Sequence, residues 1–299
     1  MSTPLAIVNP AAGGGRCGRR VGAALARLEA AGVSCDVETT RAPGDATTIA
    51  RAAYRDGRRH FIAVGGDGTS YEIINGLFPE AHEAGERPKL GFLPLGTGNS
   101  FLRDFTTEGS AHSENALAEG RTRPCDVVRA RHEGGAIFYI NLLSIGFVAD
   151  VNAFTNRHLK PLGEAGYSLG TVKEVVGLKP RPFQMALDNA TPVREPLTFA
   201  SFNNSKFTGG KMKIAPFADT ADGRIDVVLV RALGRLQLLR AFPRIFKGTH
   251  VDMDEVTSDQ VQRLSFRLDG PVDVMVDGEV ERLHLKGLDV LHHALEVYA

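Results

Sequence analysis

Apolar and polar positions follow two different textures along this chain. In the first 120 residues, short apolar runs end in polar, glycine-rich loops: Leu5-Ala6-Ile7-Val8, Phe61-Ile62-Ala63-Val64 and Leu90-Gly91-Phe92-Leu93. Unbroken runs of this length are what strands buried on both faces require. Val33 to Glu38 reads as one more strand, ended by Thr39-Thr40. Between the strands the period changes. Val21, Leu25 and Leu28 fall at helical spacing, Gly44-Asp45 introduces a helix through about Tyr54, and Ile73, Ile74 and Leu77 share a helical face. Strand and helix alternate four times, which predicts a parallel, doubly wound α/β sheet. Such sheets bind ligands beyond the carboxyl ends of their strands. The loops beginning at Asn9, Thr39, Gly65 and Pro94 all leave strands at that end and can converge on one site.

The texture changes after Asn115 to Gly120. Pro124 to Arg131, Ile137 to Ile145, Pro182 to Leu187, Leu197 to Phe202, Arg224 to Val230, Arg263 to Leu268, Val272 to Val276 and Val280 to Leu285 are strand-like runs separated by turn residues. They predict an antiparallel β-sandwich. Helical insertions are expected at 151–176 and 233–247. The chain thus divides into an α/β domain over 1–126 and an all-β domain over 127–285. Residues 286–299 can pack back on the first domain, which the pattern alone leaves open.

Composition narrows the function classes. The 299 residues leave room for two cores. Lys and Arg number 35 and Asp and Glu 35, so net charge is zero and bulk attraction to nucleic acid is disfavoured. Cys17, Cys35 and Cys125 are scattered and odd in number, forming neither a disulfide framework nor a zinc pattern, so a reducing, cytoplasmic setting is expected. No secretory signal and no stretch long enough to span a bilayer is visible. The best attempt, Phe138 to Val151, is broken by Asn141, Ser144 and Gly146. A lipid substrate would have to be met from the water side.

The most chemically suggestive stretch is Gly65-Gly66-Asp67-Gly68-Thr69-Ser70-Tyr71-Glu72. Thr69 and Glu72 have the spacing of a capping box that starts a helix. Strand, glycine loop and helix N-terminus together make an anion site, because backbone N–H groups and the helix dipole both favour negative charge. A carboxylate there, Asp67, is reasonable if a divalent cation lies between it and phosphates. A plain strand-to-helix turn is the competing reading of the tetrapeptide alone. The loop from Asn9 to Arg16 repeats the design, flanked by Arg16, Arg19 and Arg20, whose simplest role is a solvated first turn. Pro94-Leu95-Gly96-Thr97-Gly98-Asn99 is a third polar loop, with Asn99 placed to cap a helix.

These motifs resemble the diacylglycerol kinase catalytic-domain family, and especially its bacterial lipid kinases, with sphingosine and ceramide kinases more distant. Asn9-Pro10 with its glycines is similar to the family's first motif. Gly65 to Thr69 with Glu72 and Asn75-Gly76-Leu77 resembles its signature, and Pro94 to Asn99 its third loop. Gly209 to Pro216 followed by Asp222 to Val227 resembles its second-domain motif, and Val276-Asp277-Gly278-Glu279 its late Asp-Gly-Glu. The resemblance covers nearly the whole chain. Two departures stand out: Ala12 where the family often has serine, and Tyr71 where it has asparagine or histidine.

What the resemblance implies is an ATP- and magnesium-dependent lipid kinase with its active site in the cleft between domains. Its acceptor is a lipid hydroxyl, diacylglycerol-like or sphingoid in type. It implies ATP contacts at Asn9, Thr40, Gly65, Gly66, Asp67, Gly68, Thr69, Glu72, Thr97, Gly98 and Asn99. It also implies a proton acceptor in the Asp277–Glu279 motif, with the choice between the two carboxylates open. The motif reads equally as a hairpin turn, since Asp-Gly between strands is the strongest short signal for one. Asp67 and Asp126 are candidates to hold a catalytic magnesium through water. Asp219 and Asp222 with the carbonyl of Arg224 match the family's second, structural magnesium, although a polar turn explains them without it. Leu233 to Lys247 carries Arg235, Arg240, Arg244 and Lys247 beside an apolar face; core packing is its commoner use and membrane contact the alternative. His292-His293 lacks a third ligand nearby in sequence and reads as a surface pair. Expected partners are ATP and a membrane lipid, at the membrane periphery and without nucleic acid, and a homodimer is compatible with the sequence. The rival readings are an NAD kinase, which shares the Gly-Gly-Asp-Gly loop, and a nucleotide- or lipid-binding regulator that has lost catalysis.

Overall fold

A computed structural model of the chain describes residues 3–146, 181–188, 190–233 and 235–299. The helical insertion expected at 151–176 lies outside the described residues.

The N-terminal part alternates as its pattern requires: β1 (Leu5–Val8), α1 (Arg16–Ala30), β2 (Asp36–Thr39), α2 (Asp45–Arg55), β3 (His60–Gly65), α3 (Asp67–Leu77), α4 (Glu80–Glu83) and β4 (Lys89–Pro94). A 3-10 helix (Phe101–Asp104) and α5 (Ser110–Glu119) follow. The four strands pair in parallel in the order β2-β1-β3-β4. Successive side chains of β1 and β3 enter opposite cores, as strand geometry demands. Leu5, Ile7, Phe61 and Ala63 pack with α2 and α3, whereas Ala6, Val8, Ile62 and Val64 pack with α1 and α5. Helices therefore cover both faces, and all four strand C-termini reach the same edge.

The second part is antiparallel. It comprises β5 (Thr122–His132), β6 (Gly135–Tyr139), β7 (Leu142–Gly146), β8 (Arg181–Leu187), β9 (Val193–Asn203), β10 (Phe207–Thr208), β11 (Met212–Lys213) and β12 (Ile225–Arg231). After α6 (Arg235–Lys247) and a second 3-10 turn (Thr249–Asp252) come β13 (Val256–Val261), β14 (Arg263–Arg267), β15 (Val272–Val276), β16 (Glu279–Leu283) and β17 (Leu285–Tyr298). Their inward residues, among them Tyr139, Leu143, Phe202, Val227, Leu264 and Val274, form the core of a β-sandwich.

Two long strands join the parts. β5 and β17 pair along most of their length, and the end of β17 also lies parallel to β4, with Glu296 opposite Lys89 and Val297 opposite Leu90. The C-terminal residues thus complete the parallel sheet. The expected boundary between 126 and 127 falls inside β5. Side chains stitch the same junction. Asn75 on α3 bonds both the N–H and the carbonyl of Phe138, and the Tyr71 hydroxyl donates to Glu281 at 2.7 Å.

Candidate active site

Three loops meet at the C-terminal edge of the parallel sheet. Gly13, Gly14 and Gly15 all have positive φ, at 62°, 66° and 83°, a run that residues with a Cβ resist. They deliver the chain to α1 with no side-chain cap on its first N–H groups. α3 starts at Asp67 behind Gly66, again with no side-chain cap. Because β1 and β3 are neighbours, two uncapped helix N-termini lie on one edge, which is an arrangement suited to phosphate oxygens. The third loop closes against both. Arg16 donates to Thr97 Oγ1 at 3.2 Å, and the Gly96 N–H donates to Gly65 O at 2.7 Å. A Cβ on Gly96 would lie 2.5 Å from the Gly66 Cα, so the two backbones touch only because residue 96 is glycine.

Asn9 accepts the Ala11 N–H at 3.1 Å and shapes the first loop, and buried Thr40 ends β2 with its N–H on Val8 O. Asp67 accepts the Ser100 N–H at 2.9 Å, and burial pushes its carboxyl above the usual range. Gly98 lies against Asp67 Oδ2, where a Cβ would come to 2.9 Å. Asn99 does not cap a helix: it is itself left-handed, at φ 47°, and its side chain returns to Gly96 O.

The capping box read from Thr69 and Glu72 does not form. The helix begins two residues earlier, and Thr69 is buried beneath Gly65 with its hydroxyl unpartnered among the described residues. Glu72 instead reaches across to α2, accepting the N–H groups of Gly44 at 3.0 Å and Ala46 at 3.1 Å. Asp45, in the first turn of α2, accepts the N–H groups of Arg41 and Ala42 in the loop before it. The α2 N-terminus is thus already supplied with carboxylates, unlike those of α1 and α3. Glu72 thus holds the α2 N-terminus next to the glycine loop.

The second domain contributes two turns. At the first, Asp277 (φ 45°) and Gly278 (φ 95°) make the two-residue turn joining β15 to β16. Asp277 is 2% exposed and points inward, accepting N–H bonds from Ile140 at 3.1 Å, Asn141 at 3.1 Å and Leu142 at 2.9 Å. Burial pushes its carboxyl up to about 7 against the pull of those three donors, with the charge of Asp67 adding to the rise. Glu279, two residues on, is exposed and lies over Gly68, where any Cβ would collide with its carboxylate. The hairpin therefore buries one carboxylate as an anchor and presents the other to the glycine loop.

The other turn spans Asp219 to Arg224. Asp219 accepts the Ala221 N–H and Asp222 the Arg224 N–H, each at one oxygen. Burial and the neighbouring Asp219 and Asp126 charges raise the Asp222 carboxyl, and burial raises that of adjacent Asp226 to about 6. Carboxylates gathered at mutual cost, each with an oxygen uncommitted among the described residues at Asp219 and Asp222, are a donor set that fits a hard divalent cation. Asp126 grips this turn from behind. It is fully buried, and both of its oxygens are taken, by Gly223 N–H at 2.6 Å, His293 N–H at 2.7 Å and His292 Nδ1 at 2.9 Å. The segments flanking β10 are tied to the residues that follow the third loop, with Gly210 N–H on Ser100 Oγ at 2.9 Å and Lys206 on Asp104.

The sequence carries no signal for Ser100, for Tyr71–Glu281 or for the partners of the Asp126 carboxylate, which depend on residues 97 or more positions apart, Ser100–Asp67 excepted.

Comparison with known proteins places this arrangement. Residues 3–130 match the family model of the diacylglycerol kinase catalytic domain, and residues 141–299 that of the YegS C-terminal NAD kinase beta sandwich-like domain. The chain belongs to the diacylglycerol kinase catalytic-domain family. It is an ATP-dependent lipid kinase. Among its relatives, the diacylglycerol kinase of Mycobacterium tuberculosis is 31% identical over 277 residues, covering 92% of this chain and 87% of the relative. The diacylglycerol kinase of Bacillus subtilis is 26% identical, covering 91% and 88%. The crystal structure of a diacylglycerol kinase from Bacillus anthracis str. Sterne shares the fold at TM-score 0.71 and 19% identity, covering 99% of this chain and 96% of that one. Both domains of the lipid kinase are therefore accounted for, and the NAD-kinase reading yields to the family. No helix among the described residues is long and apolar enough to cross a membrane.

Proposed function

We propose that this kinase transfers the γ-phosphate of ATP to the hydroxyl of a membrane lipid, diacylglycerol in class, with Glu279 as proton acceptor. The observation that carries the proposal is the seat of Glu279 over Gly68, where the second domain's hairpin meets the glycine loop. A lipid alcohol must lose its proton as its oxygen bonds to phosphorus and the bond to the departing ADP oxygen breaks. A carboxylate facing the phosphate loop is placed to take that proton, and Asp277, saturated with backbone N–H bonds, is not. Diacylglycerol is favoured as acceptor by the names of the relatives.

The uncapped N-termini of α1 and α3, with Asn9, Gly65 to Thr69 and Thr97 to Asn99 around them, would hold the triphosphate. Thr40 lies at the same edge. Asp67 would hold magnesium at the phosphates, and Asp219, Asp222 and the Arg224 carbonyl a structural one; the ion supplies neutralisation of phosphate charge. Asp126 and Glu72 support these groups, fixing the 219–224 turn and the α2 N-terminus. The lipid is met at a membrane surface. Phe217 and Phe246, two of the three exposed large hydrophobics among the described residues, accompany exposed Arg244 and Lys247, a pairing suited to an anionic bilayer.

The test is transfer of label from γ-labelled ATP, with magnesium, into detergent-dispersed diacylglycerol, ceramide and sphingoid base. Labelled phosphatidic acid is the expected product. Label in another lipid would move the acceptor class, and ATP binding with no labelled lipid would favour the regulator.

A further inference from the structure

Arg16, Arg19 and Arg20 open α1, and on the sequence alone their simplest role is a solvated first turn. Arg16 departs from that role. Its side chain turns back over the first loop, where Nε donates to the Gly13 carbonyl at 3.1 Å and Nη2 to Thr97 Oγ1 at 3.2 Å. The guanidinium therefore spans from the first glycine loop to the third, although Arg16 and Thr97 are 81 positions apart. Thr97 itself lies between Gly96, which touches the Gly66 backbone, and Gly98, which lies against Asp67. Arg16 is thus tied to the same edge as the Gly-Gly-Asp-Gly loop.

Neither bond neutralises its charge. Both acceptors are uncharged oxygens, and Arg16 has no carboxylate partner among the described residues. Other arginines of the domain do: Arg27 pairs with Glu114, Arg55 with Glu80, Arg58 with Asp36 and Arg59 with Glu86. A guanidinium carries five N–H donors. Two are committed here, and the others have no protein acceptor among the described residues. The position adds to the imbalance. A cation at a helix N-terminus opposes the helix dipole. The first turn of α1 holds no acid, whereas α2 has Asp45 in its first turn and the Glu72 carboxylate on its N–H groups. An uncapped helix start that carries unpaired arginines is relieved by a bound anion.

We propose that Arg16 binds the phosphate chain of ATP, held by Gly13 and Thr97 in place before the nucleotide arrives. A planar fork of donors matches phosphate oxygens, and the two tethers remove side-chain freedom that binding would otherwise have to quench. The inference rests on the glycine loops being the seat of ATP and is independent of the lipid acceptor and of Glu279.

The experiment is calorimetric titration of the full chain with magnesium–ATP, without lipid, at several salt concentrations. Arg16→Gln keeps hydrogen-bond donors that can hold the loops together but removes the charge; Arg16→Lys keeps the charge but loses the fork. Gly14→Asp is the control for the loop itself. A Cβ on Gly14 meets nothing within 4 Å, and aspartate tolerates its left-handed backbone, so the variant adds a negative charge to an intact loop. Arg16 is exposed, so thermal unfolding without nucleotide should be unchanged in its variants. The expected result is ATP affinity weaker by about tenfold or more in Arg16→Gln, with a shallower salt dependence, and an intermediate loss in Arg16→Lys. Wild-type affinity and salt dependence in Arg16→Gln, with binding weakened in Gly14→Asp, would overturn the role of Arg16 alone. Wild-type affinity in Gly14→Asp as well would overturn the loops as the seat of ATP.

Discussion

At the scale of single residues, Asp277 and Glu279 show how two carboxylates of one motif acquire different tasks. One is buried and bonded to three backbone N–H groups; the other faces the glycine loop. Glu279→Gln should lower kcat for lipid phosphorylation by about 10²–10⁴-fold with ATP affinity little changed, as loss of a general base does. Gly68→Ala should lower turnover as well, because its Cβ takes the place of the Glu279 carboxylate. Asp277 predicts a pH effect on stability. Its folded carboxyl holds a proton up to about pH 7, while an unfolded aspartate releases it near pH 4. Between those values the folded state binds more protons, so stability falls as pH rises from about 4 to about 7, by up to ~4 kcal/mol. Asp277→Asn cannot ionise there and should flatten that fall. Urea unfolding at pH 5 and pH 8 checks it, and an unchanged slope in the variant would count against the assignment.

At the scale of elements, Glu72 separates a capping role from a nucleotide contact. Its carboxylate holds two N–H groups of the α2 N-terminus, so Glu72→Ala should destabilise the fold by about 1–2 kcal/mol while the KM for ATP stays near that of the wild type. Thermal unfolding and ATP saturation curves measure both, and a large rise in KM without loss of stability would restore the nucleotide reading. The same residue shows where the sequence stops being legible. Thr69 and Glu72 have the right spacing for a box, but the competing partner lies on α2, and local spacing cannot report it. β1, β3 and β4 were legible because burial on both faces leaves an unbroken apolar run. β13, Val-Thr-Ser-Asp-Gln-Val at a partly exposed edge, carries no such run. The stretch from Ile137 to Ile145 reads as one strand, yet it is two. The chain turns at Ile140 and Asn141 to aim their N–H groups at Asp277, 136 positions away from Asn141. β16 and β17 likewise divide at His284, and the length of β17 was not readable because its second half pairs with β4.

At the scale of the whole molecule, the site depends on two domains being held in register. The loops that resemble phosphate sites were visible in the sequence as motifs, and their shared edge followed from the parallel sheet. How the hairpin reaches that edge was not visible. β5, β17, Asn75–Phe138 and Tyr71–Glu281 set that geometry through pairs far apart in sequence. Tyr71 replaces a smaller residue of the family pattern and spends its hydroxyl on Glu281. Tyr71→Phe should therefore lower turnover on lipid modestly, about two- to tenfold, by loosening the hairpin that carries Glu279, with the fold retained. At the membrane, Phe217→Ser with Lys247→Glu should cut turnover on anionic vesicles several-fold and leave that on a short-chain, detergent-dispersed acceptor unchanged. Equal losses on both substrates would place the defect in the site rather than at the surface.

The central claim is that a carboxylate from the second domain, seated over the glycine loop of the first, accepts the proton of a lipid hydroxyl during phosphoryl transfer. Single-turnover transfer of label from enzyme-bound ATP to diacylglycerol, compared between wild type and Glu279→Gln, tests it most directly. The account predicts a labelled lipid from the wild type, and from the variant a rate at least a hundredfold slower at unchanged ATP occupancy. Equal single-turnover rates would contradict it and return the role of base to another carboxylate of the site.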